Sequence, residues 1–125
     1  MRISTPSKIS YLLAGLAGLH LATLGPCFAQ AAPDPKIVRA WKAKCASCHG
    51  EDGKAQTDQG TKMGIRDVTQ AAWQKAFTDD QIQQAILDGL KRTKDGKQQE
   101  MEPFRDKLRP DQVQGLLAYI RGLGK

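Results

Sequence analysis

Histidine and cysteine are scarce in this chain of 125 residues: the histidines are His20 and His49, the cysteines Cys27, Cys45 and Cys48. That scarcity excludes a structural zinc site, which needs four ligands, because no second Cys or His pair follows His49. No strand–helix–strand pattern surrounds the cysteines, which argues against a thioredoxin-like redox pair. Internal repeats, low-complexity tracts and apolar–polar alternation are also missing, which leaves an all-α domain. The formal charge of +6 is mild, without the dense cationic stripe of a nucleic-acid binder.

The first thirty residues read as an address. Arg2 and Lys8 form a basic opening, Ile9 to Leu24 a mostly apolar run, and Gly25-Pro26 a break before the small residues Ala29 and Ala31. This pattern predicts a signal peptide over residues 1–29, cleaved after Ala29 or Ala31, with the folded domain over 30–125. An uncleaved anchor and lipidation at Cys27 are the competing readings; Pro26, just before that cysteine, disfavours the second. Cleavage removes Cys27 and His20 and leaves Cys45, Cys48 and His49. It also removes two basic residues, so the mature charge falls to +4, seventeen cations against thirteen anions.

What remains is concentrated in Cys45-Ala46-Ser47-Cys48-His49, a Cys-x-x-Cys-His pentapeptide that reads as the attachment site of one covalent c-type haem. On a helix these residues stand at i, i+3 and i+4 and share a face. Two thiols can then clamp the porphyrin edge while His49 turns to the iron. A plain disulfide would leave His49 unexplained.

The order of elements follows from caps and periods. Asp34 and Pro35 start a first helix whose stripe, Ile37, Trp41, Cys45 and Cys48, runs into the haem motif and stops at Gly50. Glu51 to Val68, with Gly53, Gly60 and Gly64, reads as a loop along the haem edge. Asp67 or Thr69 caps a short helix from Gln70 to Ala76. Thr78 and Gln81 form a capping box for a helix with the stripe Ile82, Ala85, Ile86 and Leu90. Lys94 to Lys97 is a turn, Gln98 to Leu108 is irregular, and Pro110 opens a last helix with Val113, Leu116, Leu117, Ile120 and Leu123 inward. So short a domain has little core, and the haem completes it.

The iron's sixth position separates electron carriers from haem catalysts and gas sensors. Without a second histidine in the mature chain, the thioether candidates are Met63 and Met101. Taken together, the residues resemble a class I c-type cytochrome. Cys45 to Gly50 matches the attachment motif, Met101-x-Pro103-Phe104 resembles the distal-ligand loop, and Pro110 to Ile120 resembles the last helix. The resemblance implies a cytochrome c fold, three to five helices wrapped around one covalent haem. It also implies Met101 as the sixth ligand opposite His49, and Trp41 and Tyr119 where the first and last helices meet.

The function expected is that of an exported, periplasmic electron carrier and not an enzyme. Its electron would pass by outer-sphere transfer through a His/Met-ligated haem c. Met63 is a residue to pack on the haem; Arg66 and Trp73 are candidates for its propionates, since a guanidinium fork suits a carboxylate. Lys91, Arg92, Lys94 and Lys97 offer a cationic patch for an acidic redox partner, with helix-end solvation as the plainer role. Nucleic acid and small-molecule substrates are not expected, and membrane contact arises only through a partner or an uncleaved N-terminus. The alternatives are a five-coordinate haem enzyme or gas sensor, should Met101 not ligate, and a cytochrome subunit of a larger oxidoreductase.

Overall fold

Asp34 accepts a hydrogen bond from the Lys36 amide at 2.8 Å and Pro35 occupies the first turn, so helix α1 (Pro35–Lys44) starts at the cap read from the sequence. The structure, a computed structural model, describes residues 32–125. The leader, its cleavage points, Cys27 and His20 lie outside the described residues. After α1 come α2 (Ala46–His49), α3 (Asp58–Met63), α4 (Ala71–Ala76) and α5 (Asp79–Asp88). Strands β1 (Leu90–Lys94) and β2 (Lys97–Met101) and helix α6 (Pro110–Leu123) complete the order.

Three features differ from the sequence reading. The first helix breaks at Cys45, which is both the C-cap of α1 and the N-cap of α2. The stretch read as loop contains α3: the Thr57 side chain accepts from the Gly60 amide at 2.9 Å, and Gly64 ends the helix in the left-handed conformation. Described helices therefore number six, not three to five. The segment after α5 is an antiparallel hairpin that pairs Leu90 with Met101, Arg92 with Gln99 and Lys94 with Lys97. Asp95 and Gly96 both have positive φ, the turn geometry that matches strand twist. The hairpin has polar residues on both faces, so no alternation announced it.

The core lies where α1, α5 and α6 meet: Trp41, Val113 and Leu116 are the most deeply buried, with Ile37, Ile82, Ile86 and Ile120 around them. Helices α1 and α6 approach closely because Gly115 leaves room for the Ile37 side chain, which a Cβ there would overlap. Trp41 and Tyr119 mark this crossing, with ring centroids 5.5 Å apart and planes at 53°. The capping box of α5 is present in both directions, Gln81 N–H to Thr78 and Thr78 N–H to Gln81. Among the described residues, no helix is long and apolar enough to cross a membrane.

Candidate functional site

The break at Cys45 compacts the pentapeptide into a single turn. Cys48 N–H and His49 N–H both donate to the Cys45 carbonyl, at 3.2 and 2.9 Å, and Gly50 closes the turn with φ of 80°. The turn is held from two sides. Trp41 Nε1 donates to the Gly50 carbonyl at 3.1 Å, and Thr57 Oγ1 donates to the Cys48 carbonyl at 2.9 Å. Helix α3 comes this close because Gly60 lacks a Cβ, which would overlap the Ala55 carbonyl and sit 2.7 Å from that of Cys48.

Above the turn lies a cavity of about 260 Å³. Its walls are apolar: Ile65 and Val68 after α3, Trp73 and Phe77 around α4, Ile82, Ala85 and Ile86 from α5, Leu116 and Ile120 from α6. Of the residues read from the sequence as holding the haem, the cavity brings together Cys45, His49, Met63, Arg66, Trp73 and Met101. Cys48, half-buried on the same turn, is not in the lining; its sulfur takes a long contact from Ser47 Oγ at 3.9 Å.

Burial sets the chemistry of the turn. It lowers the basicity of His49, so the imidazole is held neutral with a free lone pair, the form that ligates metals. Its Nδ1 is buried without a hydrogen-bond partner, and an orphaned buried polar atom is costly unless a ligand completes the site. His49 also lies against Trp41, with centroids 5.8 Å apart. Burial pushes the Cys45 thiol up to about 11, only partly countered by the charge of Lys44. No disulfide joins Cys45 to Cys48. A soft thioether, a neutral imidazole, two thiols and an apolar chamber form a donor set that fits a haem.

Met101 ends β2 and is anchored through the residues just after it. Phe104 N–H donates to the Ile86 carbonyl at 3.0 Å and Arg105 N–H to that of Leu87 at 3.2 Å, which ties the chain after Met101 to the end of α5. Met101 thus belongs to a paired strand, not to the irregular loop expected. Met63, the last residue of α3, faces the same chamber. The guanidinium of Arg66 lies 4.7 Å from the Phe77 ring centroid, and Trp73 packs against the same ring at 5.1 Å with the planes tilted by 39°.

Some lining residues were not legible beforehand. Gln99 is buried at 7% exposure, donating from Nε2 to the carbonyls of Met63 at 3.0 Å and Gly64 at 2.9 Å and accepting from Arg92 Nε at 2.8 Å. Nothing distinguishes it in the sequence from its neighbour Gln98. Arg92, exposed on the hairpin's first strand, also reaches the cavity lining. Of the cationic patch read from the sequence, Lys97 caps the Thr61 carbonyl at 2.9 Å and Lys91 lies 3.8 Å from Glu100.

Comparison with known proteins agrees with this geometry. The family described as Cytochrome c matches residues 36–124. The solved c-type cytochrome KustC0563 is 33% identical and superposes with a TM-score of 0.58, over 70% of this chain and 96% of that one. A point mutant of that protein gives 32% and 0.57 over the same shares. The cbb3-type cytochrome c oxidase subunit FixP of Sinorhizobium medicae (strain WSM419) is 31% identical over 85 residues, 66% of this chain. The chain spans only 27% of that relative's length. With the helical fold, the Cys-x-x-Cys-His turn and the family match in agreement, the chain belongs to the cytochrome c family, haem-based electron-transfer proteins whose cofactor is covalently bound haem c.

Proposed function

We propose that this protein is an exported single-haem electron carrier in which Cys45 and Cys48 form the thioether links and His49 and Met101 are the axial ligands. The observation that carries this reading is the gathering of Cys45, His49 and Met101 into one apolar chamber. The bound haem supplies one-electron redox chemistry at iron. His49 enters as a neutral imidazole because burial disfavours its charged form. Met101, fixed by strand pairing with Leu90, offers a soft thioether, and thioether ligation in an apolar pocket favours ferrous iron and a relatively high potential. With His49 and Met101 both given to the iron, the chain would leave no ligand site for a small-molecule substrate, and transfer would be outer-sphere. Met63 packs on the haem; Arg66 and Trp73 serve its propionates.

The exposed cations Lys36, Arg39, Lys42 and Lys44 of α1, with Lys91 of the hairpin's first strand, suit a redox partner with an acidic docking surface. The FixP relative, an oxidase subunit far longer than this chain, favours a second version in which the domain serves as the cytochrome subunit of a larger complex. Co-purification with an oxidoreductase would select that version without altering the haem chemistry. The test of the proposal itself is a redox titration of the holoprotein followed by visible spectroscopy. A low-spin ferric form with a methionine-to-iron charge-transfer band supports it. A high-spin form that binds carbon monoxide rapidly points to a five-coordinate enzyme or sensor and overturns it.

A further inference from the structure

The haem of the proposed function carries two carboxylates at its rim, and the chamber contains two guanidinium groups to meet them. We infer that Arg92, oriented by the buried side chain of Gln99, is the partner of one haem propionate. The inference rests on the reading of the chamber as a haem site.

Three observations carry it. Arg92 and Arg66 are the cationic side chains among the described lining residues, and neither makes an ion pair with a carboxylate there. The single carboxylate of the lining, Glu100, faces Lys91 across the hairpin at 3.8 Å. Second, the Arg92 fork is half committed: Nε donates to Gln99 Oε1 at 2.8 Å, which fixes the plane of the guanidinium and leaves the terminal nitrogens for another acceptor. A planar fork held this way recognises a carboxylate with direction as well as charge.

Third, Gln99 is a buried amide in a mainly apolar chamber, and burying an amide is costly unless every polar atom is used. Its Nε2 bonds the carbonyls of Met63 and Gly64, two residues before Arg66. One buried side chain therefore joins the Arg92 strand to the Arg66 segment. Gln99 is a positioning residue: it acts through Arg92, whose guanidinium plane it fixes.

The experiment is the reduction potential of the holoprotein against pH, measured for the parent, Arg92→Gln, Gln99→Leu and the double variant. A cation beside a carboxylate holds it ionised to lower pH, so removing Arg92 raises the propionate's pKa. The break at which the potential becomes pH-dependent moves up by about one pH unit or more in Arg92→Gln, or enters the accessible range only there. The potential at neutral pH falls, because an unscreened propionate favours ferric iron. Gln99→Leu moves the break in the same direction by less, and adds little in the Arg92→Gln background, since both act through one contact. Lys94→Gln, the same charge change outside the lining, leaves the break in place. If the Arg92→Gln and parent profiles coincide while both retain covalent low-spin haem, the role of Arg92 is refuted and the proposed function stands. A chain without covalent haem refutes both.

Discussion

Met101 and Met63 place two thioethers in one chamber with one imidazole, and the choice between them is the finest point of the site. Met101 is paired in a strand and followed by two backbone hydrogen bonds to α5, whereas Met63 ends a six-residue helix capped from the hairpin. Replacing Met101 with alanine removes the methionine-to-iron charge-transfer band and lowers the potential, and the same change at Met63 preserves the band. Visible spectra of the two ferric variants distinguish the cases, and the opposite pattern reassigns the ligand. At this scale much was legible. A Cys-x-x-Cys-His spacing is specific chemistry, and Met101 stood out beside Pro103 and Phe104. Gln99 was not legible, because a buried polar residue is defined by partners distant in sequence: it bonds carbonyls 35 and 36 residues away.

Among the elements, the hairpin bears most directly on the site, and Gly89 makes its entry possible. Its φ is 73°, and a Cβ there would overlap the Met101 carbonyl oxygen and lie 2.9 Å from Pro103 N. Gly89→Ala therefore combines a left-handed alanine with a displaced Met101 strand, at a cost of about 1–3 kcal/mol. Chemical denaturation of the holoprotein measures this loss, accompanied by a weaker methionine band. Full stability with an unchanged band would contradict the coupling of Gly89 to Met101. Helices with strong ends were readable: Asp34-Pro35, the Thr78–Gln81 box and Pro110 each mark a start that the backbone adopts. Helix α3 escaped notice because Gly60 sits inside it, required there for contact with the Cys48 turn, and the Thr57 cap was the one signal available. The hairpin escaped because Asp95-Gly96 is flanked by polar strands, so the turn was legible and its consequence was not.

For the whole molecule, α1, α5 and α6 bury Trp41, Ile86 and Leu116 beneath a chamber that apolar side chains alone do not fill. A domain this short has little core to spare, and the cofactor supplies much of what its inner faces pack against. Cys45→Ala combined with Cys48→Ala gives a chain that loses haem in denaturant and lacks native helicity without it. Circular dichroism after haem extraction checks this, and a stable, fully helical apoprotein would contradict it. The most direct test of the central claim is the redox titration of the holoprotein monitored by its visible spectrum. One single-electron transition between low-spin forms, with the methionine-to-iron band present in the ferric state, is the predicted result. A high-spin ferric form that takes up carbon monoxide rapidly on reduction would contradict it.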